Sequence, residues 1–329
     1  MNTPDSTIEK LIKLAGGRDQ PSSEGMERAR EAARDSWARM LKSGDVAHPL
    51  AEKSLRFKLL GFALAAGIAA VGVFLATRLP QTAPPEVVAH VATLSGGARL
   101  EHASADTAVA VASPVHAGAT LTTGDGRLAL TFGDALSLRV DRQTRLRFDS
   151  RGQITLLAGV LYVDSGGINT VPALRIETPA GVVRHVGTQY QVRVAGDVTL
   201  VRVREGRVLL SRASGASTDM AAGDELELSG AEVRWRRGLP SFGEDWEWAA
   251  GIAPALEIEN RPLAEFITWV AREHGWRVRF VDVGLQSRAA EIRLHGSLDP
   301  RDSAAMLERV ALVTGVPMNV RDGVLWIGE

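Results

Sequence analysis

The chain has 329 residues, 45% of them hydrophobic, and 38 Lys and Arg against 39 Asp and Glu give a formal net charge of −1. That length suits two domains better than one, and the apolar content excludes a disordered tail. A near-neutral chain carries no global field toward nucleic acid, and the absence of cysteine excludes disulfide scaffolds, thiolate metal sites and a cysteine nucleophile.

Residues 1–57 predict a small helical segment. Ser6 and Glu9 form a capping box before Ile8, Leu11, Ile12 and Leu14, and Gly16-Gly17 ends that helix. A second helix is expected over 24–41. Its stripe of Met26, Ala29, Ala33, Trp37, Met40 and Leu41 recurs at helical spacing, with Arg39 on the polar face. Two short helices bury little surface alone. The segment therefore reads either as a solvated tail or as a docking element with Met26, Ala33, Trp37, Met40 and Leu41 as its contact face.

Residues 58–78 are expected to span a membrane. Leu59–Thr77, LLGFALAAGIAAVGVFLAT, holds no charge and no proline. Such a helix rises about 28 Å, close to the roughly 30 Å hydrocarbon core. A signal peptide would have a shorter apolar run nearer the N-terminus. Lys53, Arg56 and Lys58 precede the run and only Arg78 closely follows it. This places the N-terminus in the cytoplasm and the chain after Pro80 outside.

After a spacer at 79–86, residues 87–236 predict an all-β domain, a sandwich or a solenoid of short antiparallel strands. Strands are expected at 127–132, 135–140, 144–148, 192–194, 199–203 and 208–210, each alternating with period two. Gly124-Asp-Gly126, Gly133-Asp134, Arg151-Gly152, Gly196-Asp197 and Glu205-Gly206 read as turns between strands. Residues 237–250 read as a linker. Residues 251–329 then predict a small α/β module in the order βαββαβ. Its strands are expected at 255–258, 277–281, 291–294 and 324–327. One helix starts at Pro262 with Leu263, Phe266, Ile267 and Val270 inward; a second opens at Asp299-Pro300 with Leu307, Val310 and Ala311 inward.

Five stretches carry one resemblance. Ala117–Phe148 (AGATLTTGDGRLALTFGDALSLRVDRQTRLRF), Leu156–Gly167 (LLAGVLYVDSGG), Leu174–Val192 (LRIETPAGVVRHVGTQYQV) and Val201–Ser211 (VRVREGRVLLS), with Met220–Leu228 behind them, resemble in order the external domain of the FecR family. Residues 255–280, ALEIENRPLAEFITWVAREHGWRVRF, resemble the short secretin and TonB N-terminal (STN) module. The resemblance implies a single-pass protein of the bacterial inner membrane with a periplasmic C-terminus. Its implied partners are an extracytoplasmic-function sigma factor on the cytoplasmic side and the periplasmic signalling domain of a TonB-dependent outer-membrane transducer, often one for iron carriers. It implies no cofactor, no metal and no direct contact with nucleic acid. The rival reading is an envelope scaffold whose β domain binds a cell-wall component.

No motif of an enzyme is present: no phosphate-binding loop, no HExxH, no GxSxG. One dipeptide has chemistry of its own. Thr188 Oγ can attack the Gly187 carbonyl, converting the peptide to an ester that water cleaves, with His185 as a nearby base. Gly-Thr pairs are common and carry little by themselves. The position matches the Gly-Thr of the FecR motif, where some members split themselves, so Gly187, Thr188 and His185 are the candidate residues for one self-cleavage per chain.

Overall fold

The computed structural model describes residues 85–132, 136–166, 174–212, 214–296 and 303–329. The expected docking stripe (Met26, Ala33, Trp37, Met40, Leu41), the membrane span at 58–78 and the turn at Gly133-Asp134 lie outside them. Among the described residues no helix is long and apolar enough to cross a membrane. Residues from Thr82 onward form one compact unit.

Its first part is all-β. The strands are β1 (Val87–Ser95), β2 (Ala98–His102), β3 (Ala105–Ala108), β4 (Pro114–His116), β5 (Thr120–Thr123), β6 (Arg127–Phe132), β7 (Leu136–Val140), β8 (Arg145–Ser150), β9 (Gln153–Asp164) and β10 (Arg175–Thr178). They continue through β11 (Gly181–Ala195), β12 (Val198–Ser211), β13 (Ser217–Ala221), β14 (Glu225–Ser229) and β15 (Glu232–Arg236). All fifteen belong to one hydrogen-bonded sheet.

Three long strands fold that sheet into two layers. The first half of β9 lies between β8 and β10, and its second half between β7 and β11. Likewise β12 pairs β14 with one half and β13 with the other. Residues of both layers share a single core: Leu121, Leu146, Phe148, Ile154 and Val183 from one, Leu130, Phe132, Leu138, Leu161 and Val192 from the other. Phe132 and Phe148 stack across it with centroids 6.3 Å apart. The domain is thus a sandwich rather than a solenoid, and its central strands are long rather than short. Their length corrects one expectation directly. Glu205-Gly206 is not a turn; β12 runs through it with a bulge.

The C-terminal part starts earlier than expected. Within 237–250, residues Glu244–Ala250 form helix α1 rather than a linker, and its Trp246 and Ala249 pack on Tyr162 of β9. Then come β16 (Arg261–Pro262), α2 (Leu263–His274), β17 (Arg277–Phe280), α3 (Val283–Glu291), β18 (Arg293–Leu294), α4 (Ser303–Thr314), β19 (Met318–Arg321) and β20 (Val324–Ile327). Helix α2 starts one residue after Pro262, buries Leu263, Phe266, Ile267 and Val270, and ends at Gly275 in the left-handed conformation, φ 69°. Leu307 and Val310 are buried as expected, whereas Ala311 is half-buried.

The order βαββαβ needs correction. Residues 255–258 form no strand; Ile258 and Leu256 join the module's core from an irregular segment. Residues 283–291 are helical, started by Asp282, whose carboxylate accepts from the Leu285 backbone N–H. Only Arg293–Leu294 of the expected strand at 291–294 forms, paired with β16. An additional strand, β19, pairs antiparallel with β20, and β17 pairs parallel with β20.

Candidate functional site

The expected cleavage dipeptide sits where β11 is irregular. Register runs Val186 opposite Arg207 and then Gln189 opposite Glu205, so Gly187 and Thr188 together face the single residue Gly206. This is a β-bulge, and the extra residue shifts the two-residue alternation by one. His185 and Thr188, three positions apart, are therefore both buried toward the core with Tyr190, while Gln189 and Gln191 point to the outer face. Glycine is required at two places. Gly187 has φ 59°, and Gly206 has φ 78°. A side chain at 206 would overlap the Gly187 carbonyl oxygen and lie 2.6 Å from Thr188 Cγ2.

On the core face Thr188 is fully buried, and its Oγ1 has no hydrogen-bond partner among the described residues. Its backbone is gripped by Ser165, just past the end of β9. The Thr188 N–H donates to Ser165 Oγ at 2.8 Å, and the Thr188 carbonyl accepts from the Ser165 N–H at 3.1 Å and from its Oγ at 3.2 Å. The His185 ring lies 5.7 Å from Tyr190, and its Nε2 accepts from the Leu174 N–H at 3.2 Å. Burial lowers the His185 pKa. A neutral ring that accepts at Nε2 carries its proton at Nδ1, which is buried without a partner. To act as a base toward Thr188, His185 would have to release Leu174.

The outer face of the same stretch meets the C-terminal module. Asp164 of β9, Gln189 of β11 and Glu205 of β12 lie side by side across three strands, one rung from the bulge. Arg272 of α2 binds the two acids: its guanidinium is 2.5 Å from Asp164 Oδ1 and 2.8 Å from Glu205 Oε2. Gln189 completes the set, its amide donating to Asp164 Oδ2 at 2.9 Å and to the Arg272 carbonyl at 3.4 Å.

Deeper in, Arg139 of β7 is 1% exposed, pairs with Glu273 at 2.5 Å and donates to the Ala249 carbonyl at 3.0 Å. Arg204 of β12 ties the segment before α1 to the end of α2 by donating to the carbonyls of Ser241 (2.6 Å) and Glu273 (3.0 Å), and also donates to the Tyr162 hydroxyl (3.2 Å). Its guanidinium lies 5.2 Å over the Trp246 ring.

These charges set one another. Burial alone would raise the Asp164 pKa, but Arg272, with Arg139 and Gln189 behind it, holds it below the ordinary carboxylate value. Burial, then Arg204 and Arg139, push His274 at the end of α2 down to about 4. The joint between the two parts is thus a buried polar network of matched ions.

Of the residues singled out from sequence, the structure brings His185, Gly187 and Thr188 together at the bulge. Sequence reading missed Ser165, Asp164, Gln189, Arg272 and the arginines of the joint. The available signal was the second face of the central strands: Arg202 and Arg204 alternate with Val201 and Val203, a pattern that ordinarily means a solvated face. Among the described residues no group of His, Cys, Asp or Glu could hold a metal ion.

Residues 119–209 match the protein family described as FecR protein. That stretch of the β domain is similar to the FecR family. The matched FecR segment runs from the residue before β5 into β12 and contains Ser165, the whole bulge, Gln189 and Glu205; Arg272 lies beyond it. No curated protein matches the chain. Two crystal structures described as those of a candidate anti-sigma factor from Parabacteroides distasonis ATCC 8503 are similar at 14% and 12% identity. Each covers 63% of this chain, with 97% and 96% of their own chains matched and TM-scores of 0.35 and 0.33. Neither likeness is close enough to assign a fold or a partner.

Proposed function

We propose that this FecR-like protein is a single-pass relay that regulates a sigma factor. Its N-terminal segment, residues 1–57, holds an extracytoplasmic-function sigma factor at the cytoplasmic face of the inner membrane. Its external part receives a signal from the periplasmic domain of a TonB-dependent outer-membrane transducer, as in uptake of an iron carrier. The STN-like C-terminal module is the receiving element. The observation that carries this reading is the FecR match on the β domain, downstream of an uncharged apolar run with a positive flank on its N-terminal side. The test is recovery of the full-length chain from membranes. A sigma factor should co-purify with the wild type and be lost from Trp37→Ala. Absence of any sigma factor from the wild type would favour the envelope-scaffold reading instead.

The relay is not an enzyme with turnover, but it contains a site suited to one self-cleavage. Thr188 Oγ1 attacks the Gly187 carbonyl carbon, the Gly187–Thr188 C–N bond breaks, and the hydroxyl proton ends on the Thr188 nitrogen. Water then hydrolyses the ester, giving a carboxylate at Gly187 and restoring the Thr188 hydroxyl. The buried Oγ1 without a hydrogen-bond partner and the left-handed Gly187 beside it support this step.

A further inference from the structure

The rung next to the bulge is locked from outside the β domain, and the geometry points to Arg272 as a positioning residue for cleavage at Gly187–Thr188. This inference rests on the self-cleavage reading given above. Three strands meet at the bulge, and each contributes one residue to the adjoining rung: Asp164, Gln189 and Glu205. One guanidinium, from α2, ion-pairs with both acids, and the amide between them donates to the Arg272 carbonyl.

The consequence follows from the neighbours of those residues. Asp164 precedes Ser165, which holds the Thr188 N–H and carbonyl. Gln189 follows Thr188. Glu205 precedes Gly206, against which the Gly187 carbonyl packs. Every strand that shapes the scissile peptide is therefore held, one residue away, by the same residue: β9 and β12 by its guanidinium, β11 by its backbone carbonyl. An attack on a carbonyl depends steeply on such placement, because a misalignment near 1 Å can lower a rate by a hundredfold. With Arg272 absent, Asp164 keeps Gln189 and a 4.0 Å approach to Arg139, and Glu205 is left without that ion pair. The two acids would then face each other's charge across Gln189, and the rung would relax. Docking of the C-terminal module is thus coupled to whether the β domain can cut itself.

The side chain of Arg272 is 22% exposed, so removing it opens no sealed cavity. The experiment expresses the full-length chain in membranes and follows the appearance of the 188–329 piece on a denaturing gel after a pulse of synthesis. Four forms are compared: wild type, Arg272→Ala, Arg272→Lys and, as a control on the exposed residue of β16 just before α2, Arg261→Ala. Arg272→Ala should slow the split at least tenfold. Arg272→Lys, which can keep one ion pair, should recover part of the rate, and Arg261→Ala should match the wild type. The thermal midpoint of each form, measured with Thr188→Ala added to prevent cutting, should stay within a few degrees. An intact wild type would refute the self-cleavage reading itself. A wild type that splits, with Arg272→Ala splitting equally fast, would overturn the positioning role alone. Slow splitting in Arg272→Ala and Arg272→Lys alike, together with a large drop in the thermal midpoint, would also overturn it, as a plain folding defect.

Discussion

Glu273→Ala tests whether the joint between the β domain and the C-terminal module is held by matched buried charge. Glu273 and Arg139 are 8% and 1% exposed and 2.5 Å apart. Removing one partner of a buried pair destabilises by about 3–5 kcal/mol, since the other charge stays behind unpaired. Arg139 would retain the Ala249 carbonyl at 3.0 Å and Asp164 at 4.0 Å, which favours the low end of that range. Glu273 also sits in the last turn of α2, where a negative charge opposes the helix dipole by about 0.3–1 kcal/mol, so its removal returns that much. The net expectation is a loss of about 2–3 kcal/mol, near two powers of ten in the folded-to-unfolded ratio. For a unit of this size the thermal midpoint should fall by roughly 4–12 °C. The assay is urea unfolding of the unit Thr82–Glu329 at neutral pH. The double variant Arg139→Met/Glu273→Leu replaces the pair by apolar groups and should lie within about 1 kcal/mol of the wild type. A loss below about 1 kcal/mol for Glu273→Ala, or a double variant less stable than the single one, would refute the reasoning.

Gly206→Ala should destabilise by about 1–3 kcal/mol by urea unfolding, because a side chain there meets the Gly187 carbonyl and a left-handed backbone. Thr188→Ala should run as one full-length band on a denaturing gel, whereas Thr188→Ser and Thr188→Cys keep a nucleophile and should still split. Stability should fall as pH is lowered from 6.5 to about 4, because the folded His274 takes its proton only near 4 while the unfolded ring takes it near 6.5. His274→Phe should flatten that part of the pH profile. Below pH 3.8, Asp164 adds a further loss, since its folded pKa lies lower still and its stabilisation disappears as the pH falls through it.

The all-β character of residues 87–236 was readable because one face of most strands is buried and alternation marks it; the strand at 127–132, and the one at 324–327 in the C-terminal module, have the expected bounds. The long strands were not readable as single elements. Gly187 and Gly206 interrupt the alternation of β11 and β12, and a glycine that permits a bulge looks in sequence like one that makes a turn. The segment at 255–258 carries a strand-like pattern, yet it pairs with no strand among the described residues. Helix α3 was missed because it buries only Leu285 and Ala289 and has almost no apolar stripe. At the bulge, Gly187 and Thr188 were singled out from the chemistry of the dipeptide and from its match to the FecR motif, with His185 as the neighbouring base. Arg139, Arg204, Arg272 and Glu273 were not, because a charge on an alternating face looks the same whether water or a second module covers it.

The central claim is that an external signal changes the activity of a sigma factor held on the other side of the membrane. The most direct measurement is transcription from a promoter read by the co-purifying sigma factor, with and without the transducer's inducer, in cells carrying either the full chain or one ending at Gly251. The account predicts an inducer-dependent change with the full chain and none with the truncated one, both being present in the membrane. A promoter that ignores the inducer with the full chain, or responds equally with the truncated chain, would contradict it.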